Sequence, residues 1–438
     1  MTYPVETEVI TYKRQKSKGK RQFILSQFEP EEIHHELEDV SCPDCHDALK
    51  EIGQMVQRQE LVFIPAQLKR VDHIQHAYKC LSCSQKNEND KIIKAPVPKG
   101  PLAHSFGSAS IISHTIHEKF NLKVPNYRQE EDWHKLGLPI SRKEICHWHI
   151  KISQYYLEPL YNLLREKLLT QPLLHADETT YRVLESDRQN TYYWTFLSGK
   201  EEEKGITLYH HDQRRSGLVV QEFLGNYDGY VHCDMWSAYR QLSEAKLVGC
   251  WAHVRRRFFE ATPKNADKTS LGKIGLNYCD QFFALEKEWE ELEPHERFEQ
   301  RQILLSPLME EFFDWCRQQA VLPGSKLGSA IDYALKYEET FKKVLEDGRL
   351  VLSNNLAERA IKSLVMGRKN WLFSQSYEGA KAGAIIMSLL ETAKRHGLHT
   401  EKYMNYLLDH LPNEETLAKI EVLEDYLPWS EIIQKNCQ

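Results

Sequence analysis

No stretch of this 438-residue chain is apolar for anything near the roughly 20 residues of a membrane span, and its N-terminus lacks a leader-peptide pattern. A cytoplasmic protein is expected on that basis. Positive charge is not in excess either: 57 Lys and Arg against 63 Asp and Glu leave a net charge of −6. That excludes a uniformly basic coat, so any polyanion would have to be met by local patches. A paired-cysteine framework is also missing. Of the 10 cysteines, four have metal-ligand spacing and the rest show no pairing pattern, as in a reducing compartment. There is no internal repeat. What is present is an ordinary globular balance, 41% hydrophobic and 27% charged, which at this length allows two to four domains.

The chain opens on a basic arm, residues 1–40, with Lys13, Arg14, Lys16, Lys18, Lys20 and Arg21 close together and an acidic run from Glu29 to Asp39 behind them. Such an arm is a solvated tail or, by counterion release, a phosphate-tracking one. Residues 41–94 follow, with Cys42-Pro-Asp-Cys45 answered by Cys80-Leu-Ser-Cys83. Each Cys-x-x-Cys knuckle turns two sulfurs toward one point, so the four thiolates suit one tetrahedral Zn²⁺. Strand-like text between them (Glu60-Leu-Val-Phe-Ile64, His76-Ala-Tyr-Lys79) predicts a ribbon of hairpins. Ala95-Pro-Val-Pro-Lys-Gly-Pro101 then marks a boundary.

Residues 102–170 read as helical. Within them, 127–151 has the pattern of a helix-turn-helix: Gly137 ends one helix, Pro139 enforces the turn, and Ser141 with Glu144 forms a capping box for the next. Ile145, Trp148 and Ile152 recur at helical spacing and face a core. The second helix is either a DNA-reading element or half of a plain helical hairpin.

From 171 the period changes to that of strands. Three successive strands are predicted: Leu173-Leu-His-Ala-Asp177, then 179–184, then Tyr192-Tyr-Trp-Thr-Phe-Leu197. A β-rich segment at 206–210, a short helix at 217–224, a strand Gly229-Tyr-Val-His-Cys-Asp234, a strand at 246–251 and a helix at 252–260 complete this part. Strands first in a meander and then alternating with helices is the order of a ribonuclease-H-like sheet. A charged helical region spans 262–346. Residues 347–397 return to the core through Asp347-Gly-Arg349 and a helix opening at Ser353, and 398–438 form a C-terminal helical element.

Three acids stand out in this frame. Strand alternation puts His175 and Asp177 on one face, with Glu178 on the other, and puts His232 and Asp234 together on a second strand. On the helix after Ser353, Asn354, Asn355, Glu358 and Lys362 share a polar face, with Leu356, Ala360 and Leu364 toward the core. Three carboxylates within about 5 Å repel by several kcal/mol at an effective dielectric near 20, so without a cation one of them stays protonated. Mg²⁺ or Mn²⁺ removes that penalty and suits phosphate oxygens as well. Asp177, Asp234 and Glu358 are therefore expected to be both metal ligands and catalytic groups for in-line chemistry on phosphodiesters.

Several stretches carry a resemblance. His175-Ala-Asp-Glu-Thr179, Gly249-Cys-Trp-Ala-His-Val-Arg-Arg-Arg-Phe-Phe-Glu260, Asn354-Asn-Leu-Ala-Glu-Arg359, Gly367-Arg-Lys-Asn-Trp-Leu-Phe373, Pro125-Asn-Tyr-Arg-Gln-Glu130, Glu391-Thr-Ala-Lys394 and Leu427-Pro-Trp429 look like the insertion-sequence-66 family of bacterial DDE transposases. The resemblance runs from about residue 40 to 430. It implies an α/β fold: a ribonuclease-H-like catalytic core with a helical insertion, preceded by a zinc ribbon and a helix-turn-helix-like segment. It also implies DNA transposition by a nucleoid-associated cytoplasmic enzyme, with terminal inverted repeats and target DNA as partners. A homo-oligomer on DNA and accessory proteins of the same element are further implied. The acidic triad falls on Asp177, Asp234 and Glu358, and the Zn²⁺ ligands on Cys42, Cys45, Cys80 and Cys83. Asp234 and Glu358 are 124 residues apart (358 − 234), which resembles transposases with a helical insertion before the last acid.

Arg255, Arg256, Arg257, Lys362, Arg368 and Lys369 are candidate DNA contacts. Cys250-x-x-His253 resembles a signature found after the second aspartate in several such families. It reads as a second zinc knuckle or as a packed Cys beside a structural or DNA-facing His. Three departures stand against the resemblance: no N-terminal heptad run, from which a shortened or alternative start is expected; Ser353 in place of an Asp; and Met235-Trp236 in place of small residues. The rival readings are an inactive or domesticated DNA-binding regulator and a ribonuclease-H-like nuclease that cuts without joining.

Overall fold

The computed structural model describes residues 20–27, 29–34, 44, 46–47, 50, 54–56, 58–59, 67–79 and 92–438. Cys42, Cys45, Cys80 and Cys83, most of the basic arm and the expected strand at 60–64 lie outside the described residues. The chain falls into two compact units, Met1–Asp72 and His73–Gln438. In the first, the described part includes one short helix, Lys20–Leu25. No helix among the described residues is long and apolar enough to cross a membrane.

The second unit begins with an exposed antiparallel ribbon, β1 (Ala77–Lys79) paired with β2 (Ile92–Lys94). Helices α1 (Ala109–Ile116), α2 (Asn126–Lys135), α3 (Arg142–Ile152) and α4 (Glu158–Leu169) follow. The turn between α2 and α3 forms as its residues dictate. Gly137 takes φ +82°, a backbone open to glycine at no steric cost. Ser141 and Glu144 close the capping box, with the Ser141 N–H donating to Glu144 at 2.9 Å. Ile145, Trp148 and Ile152 are buried, as their spacing predicts.

A five-stranded sheet holds the centre, in the order β5-β4-β3-β6-β7. Its strands are β3 (Leu173–Tyr181), β4 (Thr191–Ser198), β5 (Thr207–Asp212), β6 (Tyr230–Cys233) and β7 (Lys246–Gly249). β3, β4 and β5 form an antiparallel meander, whereas β6 and β7 run parallel to β3. The two strands expected at 173–177 and 179–184 are one. Continuous pairing with β4, from Leu174 opposite Ser198 to Tyr181 opposite Thr191, leaves no turn at Glu178.

Helix α5 (Gly217–Leu224) precedes β6, and α6 (Trp251–Ala261) follows β7. The insertion contributes α7 (Leu271–Glu288), α8 (Ser306–Gln318) and α9 (Lys326–Lys336), joined by shorter helical turns. It packs with α6 and with Leu173 and Val248 of the sheet around an aromatic cluster of Trp251, Phe258, Phe282, Phe312, Phe313 and Phe341. The N-terminal helices, the sheet and the C-terminal helices share a second core.

Two long helices complete the sheet's surroundings, α10 (Asn355–Trp371) and α11 (Tyr377–Arg395), and α12 (Thr400–His410) leads to the C-terminus. Edge strand β5 is protected by side chains of α11. The Thr207 N–H donates to Thr392 at 3.1 Å, and the Tyr209 N–H donates to Ser388 at 2.8 Å. Hydroxyls spaced one helical turn apart thus satisfy an edge that would otherwise be open to another strand.

Candidate active site

Sheet register brings the first two acids together. His175 on β3 stands opposite His232 on the parallel strand β6. Two residues further along each chain lie Asp177 and Asp234, on the same face and at the strands' C-terminal side. The imidazoles two residues back share a face: their rings stack at 4.6 Å and 8°. Asp234 lies just past the end of β6, where its side chain accepts the Trp236 N–H at 2.9 Å and its carbonyl accepts the Tyr333 hydroxyl at 3.1 Å. Met235, between them, adopts φ +63°, an uncommon backbone for a non-glycine residue.

The third acid arrives on α10, and buried polar bonds set where that helix starts. Asn354, 1% exposed, immediately precedes it. Its side-chain N–H donates to the Ala176 carbonyl at 2.8 Å, and its Oδ1 meets His175 Nδ1 at 2.9 Å. With the amide nitrogen committed to Ala176, the oxygen must accept, so His175 carries its proton on Nδ1. The backbone N–H of Asn354 donates to the Cys250 thiol, that of Trp251 to the Leu352 carbonyl, and that of Val351 to His232 Nε2. β3, β6, the β7–α6 junction and the start of α10 are thereby stitched at one point. Burial holds His175 near pKa 4 and His232 well below its ordinary value, so both are neutral polar groups here.

Asn354 is the positioning residue that sequence reasoning missed, having placed it on a solvent-facing polar stripe. The buried stripe of α10 is Ala357, Ile361, Leu364 and Gly367, not Leu356, Ala360 and Leu364. Ser353 does not cap the helix. A usable signal was the pair of histidines in apolar strands, since buried imidazoles need partners. Asn354→Ala is expected to orphan His175 Nδ1–H and the Ala176 carbonyl at a cost of about 2–4 kcal/mol in urea unfolding. Asn354→Asp, which accepts but cannot donate, is expected to recover little of it.

The acids feel one another. Burial is the main cause that pushes Asp177 up to about 8, with Glu178, Asp234 and Glu358 adding to it and a bond from the Glu178 N–H opposing it. Among the described residues no three His, Cys, Asp or Glu side chains form a ready-made metal cage. The acids are neighbours, not a closed ligand shell. As a donor set they still fit a hard divalent cation: oxygen only, and mutually repulsive without a counter-charge.

Around them, His253 is influenced by Asp234 and Glu358 on one side and by Arg256 and Arg257 on the other, though burial is what chiefly lowers its pKa. These three residues share a face of α6 by their spacing. Arg257 also lies over the Tyr333 ring at 4.1 Å. Arg255 is turned elsewhere, donating to Asp280 at 2.6 Å. Cys250 is buried and accepts a backbone hydrogen bond, as a packed cysteine does. Glu178, the next residue, is clamped by Arg215 at 2.7 Å and by the Tyr239 hydroxyl at 2.9 Å. Lys362 and Lys369 are exposed on α10, while Arg368 reaches Thr179 at 3.2 Å and also the Thr180 carbonyl.

Comparison with known proteins gives the chain its relatives. Residues 104–382 match the family model described as "Transposase IS66 family", and residues 39–84 match the zinc-finger binding domain of transposase IS66. All four cysteines of the two knuckles fall inside the second match. The uncharacterized protein y4hP of Sinorhizobium fredii is 26% identical over 414 residues, covering 89% of this chain and 73% of its own length. The uncharacterized protein y4jD of the same organism is 26% identical over 415 residues, covering 90% and 79%.

Proposed function

We propose, from the premise that this chain belongs to the IS66 transposase family, that it cuts DNA at the ends of an insertion element and joins the freed 3′ ends to target DNA. Asp177, Asp234 and Glu358 are its acids, in a ribonuclease-H-like core. The observation that carries the reading is the convergence of the three: a parallel register aligns the aspartates, and the Asn354 tie starts α10 beside them. The sheet's meander followed by parallel strands supports the same core.

The three carboxylates would hold Mg²⁺ or Mn²⁺. Such cations supply charge stabilisation for the attacking and leaving oxygens of a displacement at phosphorus. The protein's own side chains bind and orient. Asp234 is fixed by the Trp236 N–H, and Asp177 by the Glu178 N–H. His253 feels Asp234 and Glu358, and with Arg256 and Arg257 on the same face of α6 it would meet the DNA phosphates there, with Lys362 and Lys369 further along α10. No covalent protein–DNA intermediate is required, because water and then a 3′-hydroxyl can serve as nucleophiles. Cys42, Cys45, Cys80 and Cys83 would hold Zn²⁺ in the N-terminal ribbon, which precedes the helical segment at 102–170 in the sequence, and the two would recognise the element's ends. Two ends must be cut and joined together, so a multimer on DNA follows, and accessory proteins of the element fit the same scheme.

The test uses the full chain and terminal-repeat DNA. A pre-cleaved end should be joined to a plasmid in Mg²⁺, and Asp234→Asn should abolish joining. Cutting without joining would identify a nuclease instead, and binding without either would identify a regulator.

A further inference from the structure

Helix α10 starts beside the acids and ends in an apolar tip that the fold leaves uncovered. Leu372, the residue that closes the helix, has φ +62° and ψ −41° and is 62% exposed. A bulky residue in that backbone conformation is a genuine outlier, and strain of this kind concentrates where function needs it. The tip is held firmly. The Leu372 N–H donates to the Arg368 carbonyl at 2.9 Å, and Ser374 bridges to Val183 beyond the end of β3. Trp371 beside it is partly buried, its ring against Phe120. Phe373 and Leu184, whose N–H donates to the Ser374 carbonyl, are also exposed, so the tip is a small apolar patch rather than one stray side chain.

The solvent face of α10 leading to this tip is cationic. Arg359, Lys362, Met366 and Lys369 recur at helical spacing and are exposed. Among the described residues, no ion pair involves Arg359, Lys362 or Lys369, whereas Arg214, Arg215, Arg255, Arg301 and Arg349 are tied to acids. Leu372 is 14 residues beyond Glu358, about 20 Å along the helix axis, or roughly six base pairs of duplex. A line of exposed cations outside any ion pair, leading from the acids to an apolar point, complements duplex DNA.

We propose that Leu372, with Phe373 beside it, is a wedge that enters the base stack about six base pairs from the cut while Arg359, Lys362 and Lys369 follow the phosphates. Partial unstacking there would kink the element end and seat the scissile phosphate at the acids. This rests on the transposase reading, and the experiment separates the two.

Leu372→Gly is the informative variant, because glycine accepts the same backbone and only the side chain is lost. Phe373→Ala is the second. With 2-aminopurine placed along the terminal repeat, wild type should give a fluorescence rise at one step near six base pairs from the cut, and Leu372→Gly should lose it. Cleavage of fully paired ends by Leu372→Gly should fall on the order of tenfold or more, and a mismatch at that step should restore it, since unstacking is then already done. Wild-type cutting of both substrates with Leu372→Gly equal to it on paired ends would overturn the wedge alone. A wild type that cuts neither would overturn the transposase reading and the wedge with it. Unchanged fluorescence together with loss of self-association in Leu372→Gly would assign the patch to a second copy of this chain and overturn the proposal.

Discussion

Asp177→Asn is expected to reduce strand cleavage and joining on the order of 10³-fold or more while leaving binding to the element's end intact. Removing one charged ligand from a divalent-cation site sacrifices several kcal/mol of charge stabilisation in the transition state, and about 4 kcal/mol corresponds to that factor. The same substitution should act in the opposite direction on the metal-free fold. Asp177 is held up to about 8, first by burial and then by neighbouring acids, against an ordinary value near 3.8 in the unfolded chain. Below the lower value both states hold the proton, and Asp177 costs nothing. Between the two, the unfolded chain sheds its proton while the folded one keeps it, so wild-type stability is progressively lost as pH rises toward 8. Asparagine carries no such penalty. Metal-free Asp177→Asn should therefore unfold at higher urea than wild type, with a gap that widens from about pH 4 to pH 8, and excess Mg²⁺ should narrow it by stabilising wild type alone. Equal unfolding of the two proteins at pH 8 without metal would mean that the carboxyl is not under the repulsion described above. Full cleavage activity in the variant would remove Asp177 from the site.

Much of this frame was legible in the chain, for reasons that are local. The α2–α3 turn needed only Gly137, Ser141 and Glu144, which act within four residues of themselves. The shared face of His175 and His232 needed only strand alternation, with the register supplied by the sheet. What was illegible depended on partners far away in sequence. The turn expected after Asp177 vanished because β4 pairs straight through Glu178, whose own polar group is met by Arg215 and Tyr239. Asn354 looked like a surface residue because its partner, His175, lies 179 positions earlier. The phase of α10 went wrong for the same reason. A stripe through Leu356 and Ala360 is as apolar as the one through Ala357 and Ile361, and only the position of the sheet decides between them. Arg359 and the exposed tip at Leu372 were passed over because neither charge at a surface nor a leucine at a helix end is unusual until the backbone angle is known.

Arg301→Met is expected to be strongly destabilising, by about 3–5 kcal/mol, because it leaves the half-buried Glu286 carboxylate and three backbone carbonyls without their donor. Arg301 is 0% exposed, and its guanidinium is fully committed. Nε and Nη2 grip both oxygens of Glu286 at 2.7 Å. Nη1 donates to the carbonyls of Val344 and Asp347 at 2.9 Å, and Nη2 also to that of Leu350 at 2.7 Å. Those three carbonyls belong to the segment that leaves the insertion and returns to the core just ahead of Asn354 and Glu358. The arginine therefore ties α7 to the chain that delivers the third acid. Arg301→Lys should rescue little, since one ammonium cannot reproduce a planar fork serving two oxygens and three carbonyls. Adding Glu286→Leu to Arg301→Met should recover part of the loss by removing the stranded charge, but the three carbonyls remain without donors. Urea unfolding followed by circular dichroism separates these cases. If Arg301→Met unfolds at the wild-type midpoint, the insertion does not depend on this ion pair. If the double variant regains stability but not cleavage, the role of Arg301 is to set where Glu358 stands, beyond holding the insertion together.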